Sequence, residues 1–250
     1  MAEPHTVLIL ALDTTTRAGS IAVVRTHEAP DGRHDVLSLV IGNATRSHSE
    51  RLPGELADAL DRAGVPRTAI DLLAVATGPG AFTGLRIGLA SVQGLAMTLN
   101  RPAIGISALD ALVVEAGAVT AELVAPWMDA QRGEVFGCLH GPVEAGAAGR
   151  REIEPPVAAL PAALLEQWRS IIDGRSVLFT GDAVARDSAL ISDTGGGRWA
   201  LRTPGALAPA VATLGGQGAA NGLAGPPHAL TPIYVRRPDA EIEREQRNRP

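Results

Sequence analysis

An apolar run over residues 6–12 ends in Asp13, and three hydroxyl residues, Thr14, Thr15 and Thr16, follow at once. A carboxylate in that setting can orient Mg²⁺ and an attacking group, with the turn hydroxyls and amides close to a phosphate. The same four residues also have a structural reading, in which Asp13 accepts hydrogen bonds from the turn amides and Thr16 caps the hairpin. We favour that second reading and treat the four as a degenerate phosphate hairpin. A similar unit recurs a domain's length downstream, where the apolar run 123–128 ends in Asp129 before the turn Ala130-Gln131-Arg132-Gly133.

Other clusters carry less chemistry. The segment Gly78-Pro79-Gly80-Ala81-Phe82-Thr83-Gly84 resembles a phosphate loop but lacks the lysine and the spacing, so it reads as a tight strand-to-helix turn. His48 stands between Ser47 and Ser49, where Ser49 as a helix N-cap explains the pattern more simply than a base beside a nucleophile. The six histidines, at 5, 27, 34, 48, 140 and 228, are scattered; His27 and His34 flank a loop with no carboxylate at metal-site spacing, and no metal site is expected. Cys138 is alone and sits in a strand-like run, which suits a buried thiol rather than a nucleophile.

Composition narrows the field further. All 22 basic residues are arginine, which removes Schiff-base, P-loop and kinase-lysine chemistry. A net charge of −5 argues against a stand-alone nucleic-acid binder. The N-terminus has no basic region ahead of its first strand and residues 85–99 are too few to span a bilayer, so a cytoplasmic chain with no membrane partner is expected.

The elements that must position these residues follow from periodicity. Strands are expected over 6–12, 20–24 and 36–41, then a helix with Leu52, Leu56 and Leu60 on one stripe, a strand over 72–76 and a helix from Gly84 to about Asn100. That last helix has two non-polar sides: Leu85, Leu89, Val92, Leu95, Ala96 and Leu99 on one, and Ile87, Ala90, Ser91, Gly94, Met97 and Thr98 on the other. Only Arg86 and Gln93 mark a wet strip. Two apolar faces need two covers, the chain's own sheet and a second helix or a partner. Later residues give a helix around 162–168, a strand over 177–180, a mobile loop at 195–197 and a short helix near Ala210.

The order β-β-β-α-β-α is that of half an actin-like fold. The expectation is an α/β, two-domain actin-like ATPase (ASKHA, ribonuclease-H-like) fold, with mixed sheets flanked by helices. An N-terminal domain would cover 1–105, a partly degenerate C-terminal one 106–235, and a disordered tail 236–250.

Five stretches, LILALDTTTRAGSIAVV (8–24), HSERLP (48–53), the long run 72–112, MDAQRGEVF (128–136) and TPIYVR (231–236), resemble the TsaB (YeaZ) family. That family is the bacterial partner subunit for synthesis of threonylcarbamoyladenosine in transfer RNA. The resemblance implies a non-catalytic scaffold that pairs with its catalytic paralogue TsaD, joined by the ATPase TsaE, with tRNA met only indirectly through the complex. TsaD transfers the threonylcarbamoyl group to the adenosine beside the anticodon. Leu52, Leu56, Leu60, Leu85, Leu89, Val92, Gly94, Ala96 and Met97 are the implied interface candidates. The paralogue's metal-binding His pair falls on Ala108 and Leu112, so no catalytic residue is assigned here. No cofactor is expected to be held tightly by this chain alone, with ATP and Mg²⁺ at most at a composite site. Rival readings are a stand-alone kinase or acyltransferase using Asp13 and Asp129, and a self-associating protein that forms a homodimer through the same helix.

Overall fold

A computed structural model describes residues 6–27, 34–117, 119–143 and 150–236. The expected tail falls outside them except for Arg236. Strands β1 (Thr6–Asp13), β2 (Ser20–His27) and β3 (His34–Ile41) form an antiparallel meander. Helix α1 (His48–Ala63) leads to β4 (Leu72–Gly78), which lies parallel to β1, and α2 (Phe82–Leu99) leads to β5 (Ala103–Ser107), parallel to β4. The first sheet therefore has the order β3-β2-β1-β4-β5.

After α3 (Ala108–Ala116) the pattern repeats. Strands β6 (Leu123–Asp129), β7 (Val135–Val143) and β8 (Arg150–Ala159) run antiparallel; α4 (Pro161–Ile172), β9 (Val177–Thr180), α5 (Ser188–Gly195) and β10 (Trp199–Arg202) follow. With β9 parallel to β6 and β10 parallel to β9, the second sheet reads β10-β9-β6-β7-β8, the first sheet's layout again. The fold is the two-domain actin-like α/β arrangement, and Asp13 and Asp129 end equivalent strands.

Alternation along β1 sorts the first core. Leu10 and Leu12 face α1 and α2, packing with Leu52, Ala59, Leu89, Val92 and Ala96. Ile9 and Ala11 face the other way, onto α6 (Ala208–Ala220). Although α6 follows the second sheet in sequence, it closes the first. Residue 105 lies within β5, the edge strand of the first sheet, and the chain returns to that sheet through α6. Its alanines and glycines permit that: a Cβ on Gly215 would stand 2.8 Å from that of Ala74.

Several elements differ from expectation. Helix α1 is capped by Ser47, not Ser49; the Ser47 N–H donates to Glu50 at 3.3 Å in a capping box. Strand β8 was not expected because Pro155 and Pro156 lie within it; as an edge strand it tolerates the missing donors. Residues 188–195 form α5, and the short helix expected near Ala210 runs through Ala220. The wet strip of α2 is hydrogen-bonded to the returning C-terminal segment, with Arg86 still exposed. Gln93 Nε2 donates to the Leu230 carbonyl at 3.1 Å, and Arg86 Nε to the Tyr234 hydroxyl at 3.3 Å.

Two glycines let α2 lie directly against the β1–β2 turn. A Cβ on Gly84 would stand 2.2 Å from the Thr14 carbonyl oxygen, and one on Gly88 2.2 Å from Thr14 Oγ1. Gly88→Ala is expected to destabilise by about 1–3 kcal/mol through overpacking. Gly94→Ala, where a new Cβ meets nothing within 4 Å, should gain about 1 kcal/mol of helix propensity. Urea unfolding followed by circular dichroism measures both.

Candidate functional site

The Asp13–Gly19 turn occupies the mouth of a cleft between the sheets, a space of about 590 Å³ that Asp13, Asp129, Asp182, Gln131, Arg17 and Arg186 help to line. Asp13 Oδ1 accepts from the Thr15 N–H at 2.8 Å and the Thr15 hydroxyl at 2.6 Å. The Thr16 hydroxyl in turn accepts from the Gly19 N–H at 3.2 Å. Thr14 Oγ1 donates to the Gly84 carbonyl on α2 at 2.8 Å. These bonds agree with the structural reading of the four residues. Burial raises the Asp13 pKa despite the hydrogen bonds from Thr15, which pull it down.

From the other side the turn is gripped by α1. Arg51, itself buried, donates from Nη2 to the Arg17 carbonyl at 3.1 Å and to that of Ala18, while its Nη1 meets both Glu55 oxygens at 2.8 and 2.7 Å. His48 Nδ1 lies 2.7 Å from Arg51 Nη2, and its Nε2 lies 3.0 Å from the Thr16 carbonyl oxygen. A guanidinium can only donate, so Nδ1 accepts and Nε2 carries the proton. Burial and the Arg51 charge lower the His48 pKa, favouring that neutral form. Sequence reasoning named His48 but missed Arg51; the signal was the i, i+4 pairing of Arg51 with Glu55 one turn into the helix.

The opposite wall repeats the motif. Asp129 Oδ1 accepts from the Gln131 N–H at 3.0 Å, as Asp13 does from Thr15, and also pairs with Arg186 at 2.7 Å. Arg186 is shared with Asp187, whose Oδ2 accepts from Trp127 Nε1 at 2.8 Å. Asp182, whose Oδ1 accepts from the Asp129 N–H at 2.9 Å, has its pKa raised by burial, with the Asp129 charge adding to that. An actin-like fold implies a nucleoside triphosphate with Mg²⁺ in this cleft; the carboxylates are of the kind that hold Mg²⁺, whereas they oppose a polyphosphate that no metal screens. Three carboxylates face the space, two of them in surroundings that disfavour their charge, and Arg186 already neutralises Asp129 and Asp187. Among the described residues no group of three or more His, Cys, Asp or Glu is placed to hold a metal ion.

The interface candidates divide sharply. Leu52, Leu85, Leu89, Val92 and Ala96 are buried within the chain, and all but Leu85 pack in the core under the first sheet. Leu56 and Leu60 are half-buried against the same core. Gly94 and Met97 are exposed, Met97 by 67%, on the side that also shows Ala90 and Thr98. The outward face of α2 is thus the small-residue one.

Two further groups lie elsewhere. Cys138 is fully buried, its Sγ 3.7 Å from His140 Nδ1, whose Nε2 is 3.4 Å from Asp110. Burial pushes the thiol well above its ordinary range, with Asp110 and Glu152 adding to the effect, so the alignment makes no nucleophile. His27 pairs with Asp35 at 2.8 Å, a carboxylate the sequence reading overlooked.

Because burial raises the Asp13 pKa, the folded protein binds that proton more tightly than the unfolded chain. Ionised Asp13 therefore weakens folding at neutral pH, and the penalty is relieved as pH falls through the raised value toward the ordinary carboxylate range. Asp13→Asn keeps an acceptor for Thr15 and is expected to melt above the parent chain at neutral pH. Scanning calorimetry at decreasing pH should show the difference shrink.

Residues 41–243 match the family model described as TsaD, tRNA N6-adenosine threonylcarbamoyltransferase. An uncharacterized protein of Mycobacterium tuberculosis is 30% identical over 233 residues, 93% of each chain. The tRNA threonylcarbamoyladenosine biosynthesis protein TsaB of Escherichia coli is 37% identical over 131 residues, 51% of this chain and 52% of that one. The solved structure of YeaZ from Pseudomonas aeruginosa superposes with a TM-score of 0.69 at 28% identity, covering 91% of this chain and 99% of that one. With a family model spanning well over half its length and relatives of that name in both sequence and structure, the chain belongs to the TsaB (YeaZ) family.

Proposed function

We propose that this chain is the non-catalytic partner subunit in the synthesis of threonylcarbamoyladenosine in tRNA, presenting the outward face of α2 and the neighbouring α1 to a TsaD-type catalytic paralogue. The observation that carries the reading is the two-sidedness of α2. Val92 and Ala96 are 3% and 0% exposed beneath the sheet, while Ala90, Gly94, Met97 and Thr98 stand uncovered on the opposite side. Small residues around one flexible methionine let another helix approach closely and repack.

The rest of the site supports the same reading. Hydroxyls and carbonyls of the Asp13–Gly19 turn are engaged in holding α1 and α2. The α3 positions matching the paralogue's His pair are Ala108 and Leu112, both in the core between the sheets and without a lone pair to offer. In this proposal the catalytic paralogue performs the transfer to the adenosine beside the anticodon, the ATPase TsaE joins the pair, and tRNA meets this chain only through the complex. The cytoplasm is the compartment that substrate requires, and among the described residues no helix is long and apolar enough to cross a membrane.

The test is to mix the purified chain with the TsaD-type subunit and follow heteromer formation by analytical ultracentrifugation, then to reconstitute the modification with and without this chain. Met97→Glu and Gly94→Arg should leave the melting curve nearly unchanged and weaken pairing at least about thirty-fold, the loss of a central contact worth about 2 kcal/mol. Val92→Glu should instead unfold the protein, since it forces a charge into the core. Pairing that survives both outward substitutions contradicts the proposal, as does full modification in the absence of this chain. A homodimer that the paralogue cannot displace favours self-association instead.

A further inference from the structure

Among the described residues the chain passes between its two sheets three times. It leaves β5 through α3 for β6, returns from β10 to α6, and crosses again at the end, where residues 225–236 run as a strap from the first sheet to the second. The first two crossings are tied to each other. Glu115 on α3 accepts through Oε1 from Arg202 Nη2 at 3.1 Å and from the Gly205 N–H at 2.9 Å, which joins both crossings at one point.

The strap is fastened to the first sheet unit at several places. Gly225 and Ala103 exchange backbone bonds at 2.9 and 3.0 Å, Gln93 holds the Leu230 carbonyl, and the Ile233 N–H donates to the Thr77 carbonyl at 2.7 Å. Contact there is backbone to backbone: a Cβ on Gly78, whose φ is 114°, would stand 2.8 Å from the Ile233 carbonyl oxygen. The Tyr234 ring then stacks on Phe82 with centres 5.6 Å apart, and Arg86 donates to its hydroxyl. Within two residues the chain reaches the other sheet. Val235 packs against the cluster that holds Met128, Ala130, Phe136 and Cys138, and Arg236 Nη1 meets Glu134 Oε2 at 2.5 Å. Glu134 belongs to the cleft wall, since its carbonyl accepts from the Ala130 N–H at 3.1 Å and from Arg186, the partner of Asp129.

We propose that this strap is a latch on the cleft: Val235 and Arg236 hold the second sheet against the start of α2, and their release lets it swing about the crossings joined by Glu115. The two ends of the strap differ in kind. Its first-sheet end is held by several bonds that include backbone pairs, whereas its second-sheet end rests on one half-buried valine and one ion pair whose side chains are 27% and 29% exposed. Ion pairs that water reaches are weak, so this end opens first and without unfolding either sheet. Ala81, Asp129 and Gln131 border both the cleft and the space beside the strap, which puts the latch on the flank of the cleft, away from the pivot. Release widens the cleft by rotating one sheet unit against the other. The proposal rests on no reading of partner binding.

Double electron-electron resonance between spin labels on Ala57→Cys in α1 and Asp193→Cys in α5, both exposed, reads the rotation in the isolated full chain, with buried Cys138 left unlabelled. The parent chain should give one narrow distance distribution. Arg236→Glu, which sets two carboxylates against each other, should raise the population away from the parent distance at least about fivefold. Combining Arg236→Glu with Glu134→Arg swaps the charges and should bring the parent distribution back. Circular dichroism checks that every variant is folded. Hydrogen exchange of the Ile233 amide should stay as slow in Arg236→Glu as in the parent, because that bond lies on the first-sheet side of the strap. The proposal is overturned by a distribution that Arg236→Glu leaves unchanged, or by one that the swap leaves as broad as the single variant. It is overturned equally by Ile233 exchange that speeds up as much as the opening does, which would make the strap a frayed end.

Discussion

Carbonyl oxygens at the tip of a β-hairpin have no strand to pair with, and in this protein those of Thr16, Arg17 and Ala18 are taken by two side chains of α1, His48 and Arg51. On its other flank the same turn is fastened to α2 by Thr14, where Gly84 and Gly88 allow backbone contact. The hairpin is thus a wedge that fixes α1 and α2 relative to each other, although the helices touch one another little directly. In an active member of an actin-like fold this turn would face a ligand. Here the Thr14 hydroxyl and the carbonyls of Thr16, Arg17 and Ala18 are bonded within the protein, so the turn holds α1 and α2 from beneath their outward faces.

The duplicated layout sharpens the contrast between the two cleft walls. Asp13 and Asp129 end equivalent strands and accept from the amide two residues on, so the same local geometry has been built twice. Around Asp129 the charge is answered by Arg186; around Asp13 no guanidinium among the described residues bonds the carboxylate, and burial disfavours its ionised form. Keeping an ionised carboxylate under those conditions weakens folding.

Four strands of the first sheet (β1 to β4), helices α1 and α2 and the two-sided nature of α2 were legible in the sequence, because period-2 and period-3.6 apolar patterns are strong where one face is buried; the short edge strand β5 was not. Which side of α2 faces outward was not legible. Leu85, Leu89 and Val92 look like an adhesive stripe until the sheet beneath them is seen, and only packing distinguishes them from Gly94 and Met97. The region after Pro142 was read poorly for two physical reasons. Strand β8 carries prolines that an edge position tolerates, and α6 is so rich in alanine and glycine that nothing local reveals its return to the first sheet. At the site, the turn of Asp13 and its threonines shows in the sequence because an apolar run stops abruptly at polar residues, whereas Arg51 was missed because its partners are carbonyls more than thirty residues away. The hold of the C-terminal strap on the second sheet was invisible for the same reason, since Arg236 and Glu134 are 102 residues apart.

Arg51 lies on no outward surface, yet it joins the hairpin to α1, which makes it the most direct probe of whether an internal wedge governs the partner face. The measurement is the affinity of the TsaD-type subunit for Arg51→Met, determined at a temperature where circular dichroism shows the variant folded. The account predicts a fall of at least about tenfold, or about 1.4 kcal/mol, although no contacting residue has changed. Unaltered affinity in a folded Arg51→Met variant would contradict it.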